Sequence, residues 1–145
     1  MSRDIVLKRV YQAPEPDDGA RVLVDRLWPR GKRRESLQLA DWYRDASPSP
    51  TLRRQFHEGE INPTVFAVRY RGELRDHPEV LTPLMRHART GRLTLLSAVR
   101  DLDDSYLPIL REALLRAIEA EDALDREPSS PPCYGRQGLE PPAND

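Results

Sequence analysis

Cysteine is almost absent from this 145-residue chain, since Cys133 stands alone. An intramolecular disulfide is therefore excluded, and the lack of neighbouring His or Cys argues against a structural zinc site there. His57, His77 and His87 are scattered without a second ligand at metal spacing, so no metal site is expected and no cofactor is identified. No apolar run approaches the roughly 20 residues of a membrane span. Met1-Ser2-Arg3-Asp4 leads directly into an apolar stretch without the pattern of a secretory signal, which points to the cytoplasm and away from membranes. A phosphate-binding Walker loop, a dinucleotide glycine pattern and a Gly-x-Ser-x-Gly elbow around Ser97 are all missing. Lysine is scarce as well, with Lys8 and Lys32 the only two. Arginine carries nearly all the positive charge, a bias that for scattered positions reflects base composition more than selection at each site.

What is present suits one modest core. The length allows one compact domain, and charged residues make up 32% against 38% hydrophobic. The formal net charge of -1 hides a division, because the acids gather beyond residue 120 and the preceding part is mildly basic, at +3. That excess is too small to read as a nucleic-acid footprint by itself.

Periodicity divides the chain into strands and helices. Ile5-Val6-Leu7-Lys8-Arg9-Val10-Tyr11 predicts a first strand, residues 21–28 a second and residues 93–99 a third. A short amphipathic helix is expected around Leu37, Leu39, Trp42 and Tyr43. Ser49-Pro50 starts another, with Leu52 and Phe56 on one face and an end near Gly59. Phe66, Tyr70 and Leu74 mark a helix from Pro63, a further helix covers residues 79–90, and Leu107, Leu110, Leu114 and Ile118 mark the longest, over 106–124. Strands separated by helices predict an α/β fold, a small and mainly parallel sheet flanked by helices in a single domain over residues 1–124. Residues 125–145, rich in proline, read as a flexible tail.

The most informative segment is Arg21-Val22-Leu23-Val24-Asp25-Arg26-Leu27-Trp28-Pro29-Arg30-Gly31. An apolar strand runs here straight into an acid, cations and an indole, and Pro29 with Gly31 predicts a turn. In open α/β sheets ligands bind outside the carboxyl ends of the strands. The second strand ends in Asp25-Arg26 and the later one in Arg100-Asp101, so parallel pairing would bring these four residues to one edge. Asp25 is then a candidate general base or orienting carboxylate and Asp101 a second carboxylate, with Arg26, Arg30 and Arg100 an anion clamp and Trp28 a stacking platform. An ion-pair network of Asp25, Arg26, Arg100 and Asp101 that merely closes the sheet end is the competing reading. The basic run 30–34 is a solvated loop or a cover over a phosphate. His57 is the best acid/base candidate among the histidines.

Lys8-Arg9-Val10-Tyr11, Gly19, the Asp-Arg-Leu-Trp-Pro-Arg-Gly segment, Trp42, Pro48-Ser49 with Leu52-Arg53, Phe56, Phe66, Tyr70, Glu73-Leu74, Leu95-Leu96, Ala98 and Asp101 resemble the YeaO-like family, domain-of-unknown-function family 488. The resemblance implies a small cytoplasmic bacterial α/β protein and supplies no reaction. It also marks departures, since relatives carry an aromatic residue where Ser97 stands and an Asn/His-containing segment in place of Asp103-Asp104-Ser105-Tyr106. If that Asn/His pair is catalytic in relatives, this chain binds without turnover. The favoured reading is an uncharacterised protein that binds an anionic small molecule, a nucleotide or other phosphate compound, with hydrolase or transferase activity left open. The alternatives are a nucleic-acid-associated accessory protein using residues 30–34 with Arg53 and Arg54, and a protein-interaction module without catalysis. The oligomeric state is not set by the sequence.

Overall fold

A computed structural model describes residues 4–126. The expected tail, Cys133 included, lies outside these residues except for Asp125 and Arg126, which continue the last helix. Four strands form one sheet: β1 (Ile5–Arg9), β2 (Ala20–Leu23), β3 (Asp41–Trp42) and β4 (Leu93–Ser97). Their order is β1-β4-β2-β3 and every pairing is parallel. The fold is therefore the single-domain α/β arrangement that the alternation of apolar runs and helical stripes predicts. β4 is central and buried at all five positions, which is why leucines fall on both of its faces, at Leu93 and Leu95 on one and Leu96 on the other, with the polar Thr94 and Ser97 hydrogen-bonded.

The two faces of the sheet are unequal. Successive side chains on a strand point to opposite sides, so Val22 and Leu95 face one way and Leu23 and Leu96 the other. On the first side they join Ile5, Val24 and Leu93 under four helices: α2 (Pro50–His57), α3 (Pro63–Asp76), α4 (Thr82–Thr90) and α5 (Leu107–Arg126). Leu107, Leu110, Leu114 and Ile118 of α5 supply the stripe expected from their spacing, and all four are buried. On the second side, among the described residues, Leu23 and Leu96 form a small apolar cluster with Val10, Leu37, Leu39, Trp28, Trp42 and Ala98, beneath the single-turn α1 (Arg34–Leu37).

That thin second face also holds a buried charge cluster. Lys8 Nζ donates to both Asp18 oxygens at 3.0 and 3.1 Å and to Glu15 at 2.9 Å, while Arg21 Nη1 reaches Asp18 at 2.6 Å. Arg21 Nε donates to the Leu37 carbonyl at 2.8 Å, and Thr94 Oγ1 to the Asp18 carbonyl at 2.6 Å. Burial would push the Asp18 carboxyl up, but the Glu15 backbone N–H, Lys8 and Arg21 together hold it below its ordinary value. Among the described residues, Arg21 Nη2 is the one buried side-chain nitrogen or oxygen without a hydrogen-bond partner. Gly19, at φ 65°, brings the chain into β2 so close to β4 that a Cβ there would sit 2.2 Å from the Arg92 carbonyl oxygen.

Several expected boundaries shift. The second strand ends at Leu23 rather than at Trp28, and the later one at Ser97 rather than Val99. In both cases a polar side chain at the exit takes over the hydrogen bonding. The helix expected around Leu37 to Tyr43 is one turn of helix followed by β3, because Gln38 adopts a left-handed φ of 50° that ends the turn and redirects the chain along β2. The helix expected over residues 79–90 opens as a 3-10 turn at Pro78–Leu81 and becomes regular only at α4, where Pro83, with no N–H to contribute, fits the first turn.

Candidate functional site

Parallel strands deliver all their exits to one edge, and a cleft of about 980 Å³ lies there. Tyr11 enters it from beyond β1, residues 25–30 from beyond β2, Ser47 and Pro48 from beyond β3, and residues 98–101 from beyond β4. Arg53, Phe56 and His57 of α2, Phe66, Ala67 and Arg71 of α3, and Tyr106, Pro108 and Ile109 at the start of α5 form the remaining wall. Asp25, Arg26, Trp28, Arg30, Arg100 and Asp101, the six residues singled out from the sequence, thus all line the same concavity.

Their bonding differs from an ion-pair network. Asp25 Oδ1 accepts from Ser97 Oγ at 2.7 Å and from the Tyr106 hydroxyl at 2.6 Å, and Oδ2 accepts from the Ala98 backbone N–H at 2.7 Å. The Asp25 carbonyl accepts from Trp42 Nε1 at 2.8 Å. One residue therefore ties together the ends of β2 and β4, the edge strand β3 and the entry to α5. Burial, with the nearby Asp25 charge and its hydrogen bond, pushes the Tyr106 phenol well above its ordinary pKa, so it remains a donor to the carboxylate. Ser97, fully buried at the last position of β4, and Tyr106 were not foreseen as partners of Asp25. A serine ending a buried, leucine-rich strand was the available signal.

Arg26 is half-buried and held by backbone oxygen, with Nε donating to the Pro48 carbonyl at 2.8 Å and Nη2 lying 3.5 Å from that of Ser47. The charge is fixed in place without being neutralised. Arg30 and Arg100 are exposed. Ion pairs among the described residues engage Lys8, Arg21, Arg75, His77, Arg89, Arg92 and Arg116, and none of these lines the cleft. Arg26, Arg30, Arg53, Arg71 and Arg100 line it without an ion-pair partner among the described residues. Acids are present: Asp103 and Asp104 stand exposed at the rim, while Asp101 Oδ1 accepts from the Asp103 N–H at 3.1 Å within its own turn. Trp28 is half-buried, donates Nε1 to the Lys32 carbonyl at 2.7 Å, and packs edge-on against Trp42 at 5.2 Å. His57 lies exposed on the cleft wall, whereas His77 and His87 do not line it. No group of residues suited to a metal ion occurs among the described residues, and no helix there is long and apolar enough to cross a membrane.

Comparison with known proteins gives these residues a family. The DUF488-N3i model, described as the inactive DUF488-N3 subclade, matches residues 4–135. Uncharacterised protein YeaO of Escherichia coli (strain K12) is 36% identical over 111 residues, covering 77% of this chain and 96% of its own. Uncharacterised protein Rv3073c of Mycobacterium tuberculosis (strain H37Rv) is 37% identical over 106 residues, covering 73% and 89%. No solved structure matches the chain. With a model spanning nearly the whole fold and relatives aligned along most of their length, this chain belongs to the YeaO-like DUF488 family, in the branch described as inactive.

Proposed function

We propose that the cleft binds an anionic small molecule, a nucleotide or another phosphate compound, and holds it without turnover. The observation that carries this reading is the set of five arginines that line one concavity and make no ion pair among the described residues. Unpaired guanidinium groups in a shared cleft repel one another, and an anion relieves that repulsion while accepting bidentate hydrogen bonds. Arg26 is preorganised by the Ser47 and Pro48 carbonyls, so little side-chain freedom remains to be lost on binding.

The bonding of Asp25 supports binding over catalysis. A general base needs a lone pair in reach of the proton it abstracts, and here two hydroxyls and a backbone N–H take three of the carboxylate's roughly four acceptor sites, both of those on Oδ1 included. Asp25 serves instead as the orienting group that holds the cleft floor, and Asp101 steadies its own turn. The description of the family branch as inactive agrees with this division of roles.

A thermal-shift screen of the full chain against inorganic phosphate, pyrophosphate and nucleotides tests the reading, since a ligand that binds only the native state raises its melting temperature. Phosphate compounds should stabilise the native protein, Arg100→Ala should weaken that response, and the bound compound should be recovered unchanged. Absence of any response at millimolar concentration would end the proposal. Oligonucleotide binding with a steep salt dependence would instead favour a nucleic-acid role.

A further inference from the structure

The arginines address the charged end of a ligand but leave the apolar part of the cleft unexplained. Among the described residues the large apolar side chains left exposed are Tyr11, Leu27, Phe56, Val68 and Leu124, and the first three line this cleft. Exposed apolar groups gathered in a concavity mark a contact surface, whereas scattered ones carry no such meaning. Phe56, on the last turn of α2 and 36% exposed, packs tilted against Phe66 at 4.6 Å and 31° and lies 6.3 Å from the exposed His57 ring. Phe66 lies 6.2 Å from Tyr70, and Tyr70 meets Tyr106 edge-on at 5.8 Å. The inner end of this ladder is fixed, because Tyr70 is fully buried with its hydroxyl donating to the Ala46 carbonyl at 2.6 Å and Tyr106 is bound to Asp25. Phe56 is consequently the exposed outer ring of a chain of packed aromatics whose inner end is fixed, and it lines the same cleft as arginines that pair with no acid among the described residues. Trp28, the aromatic residue the sequence singles out, has committed its N–H to the Lys32 carbonyl and packs edge-on against Trp42 in the small core.

We infer that the ligand is an amphipathic anion whose planar ring rests on Phe56 while its phosphate faces the arginines, so that the cleft selects nucleoside monophosphates over sugar phosphates. This rests on the anion-site reading and adds to it a residue that sets specificity. The cleft volume, about 980 Å³, accommodates a ring and a phosphate together. Stacking on an aromatic side chain tolerates any base, since each presents a π-face. Selection should therefore be for the presence of a ring more than for its identity.

Titration calorimetry of the full chain with AMP, ribose 5-phosphate and inorganic phosphate separates the contributions, because AMP and ribose 5-phosphate share sugar and phosphate and differ in the base. AMP should bind about tenfold tighter or more. Phe56→Ala should erase that preference without changing ribose 5-phosphate affinity, and Phe56→Trp should keep it, with circular dichroism checking that both variants fold. Equal affinities for AMP and ribose 5-phosphate, or a preference for AMP that survives Phe56→Ala, would overturn the ring-selective inference while leaving the anion site standing. If none of the three anions binds, both readings fall.

Discussion

Asp18 and Asp25 stand just before and just after β2, and their surroundings are opposite. Asp18 is buried on the thin side of the sheet and is met by Lys8 and Arg21, two cations that are themselves buried. Asp25, at the other end, is met by two hydroxyls and a backbone N–H, while the arginines that share its cleft form no ion pair among the described residues. The contrast teaches how this chain uses charge. Where charges are enclosed, opposite signs are matched and the group serves the fold. At the sheet edge the carboxylate is satisfied by neutral donors, and the neighbouring arginines pair with no acid among the described residues.

The largest effect should come from breaking the enclosed match. Asp18→Asn leaves Arg21 buried without its counter-charge and Lys8 with only the exposed Glu15, and denaturant unfolding should show a loss of about 3 to 5 kcal/mol. The same cluster sets the acid limb of the stability profile. A carboxyl with a depressed folded pKa stabilises above its unfolded value and loses that contribution as pH falls through its folded one. Unfolding free energy should therefore decline below an ordinary Asp pKa of 3.8. In Asp18→Asn that decline should be shallower, which unfolding followed at a series of acidic pH values would measure. Replacing Asp25 by Ala should cost less, about 1.5 to 3 kcal/mol, since its partners are hydrogen-bond donors and not buried ions. Tyr106→Phe, which removes a single donor to that carboxylate, should cost about 1 to 2 kcal/mol by the same measurement. A loss for Asp25→Ala as large as that for Asp18→Asn would remove the distinction between the two ends of β2.

The legible parts of the molecule were those written in apolar runs. Val22-Leu23-Val24 and Leu93 through Leu96 announced buried strands, and the charged dipeptides after them located the cleft edge, because parallel strands must all exit on one side. β3 was hidden because it is a two-residue edge strand, pairing Asp41 and Trp42 with Val22 and Leu23, and edge strands need no apolar run. The partners of Asp25 were hidden by distance along the chain, with Ser97 and Tyr106 separated from it by 72 and 81 residues. Ser97, visible in the sequence as a departure from the family pattern, acquires a role only through the three-dimensional neighbourhood of Asp25. Nothing in the sequence marks the strand cations Lys8 and Arg21 as buried, and only the fold shows that their side of the sheet is covered.

The smallest effect on stability should come from the cleft arginines, where binding should change most. Unfolding free energy and AMP affinity measured for Arg30→Ala combined with Arg100→Ala test this most directly. Ligand-free stability should stay within about 0.5 kcal/mol of the parent protein, as for exposed positions without partners. AMP affinity should drop at least about tenfold, as expected for a lost charge-assisted hydrogen bond. A variant that unfolds markedly more easily yet binds AMP as tightly as before would mean that these arginines hold the fold together and that the cleft is not an anion site.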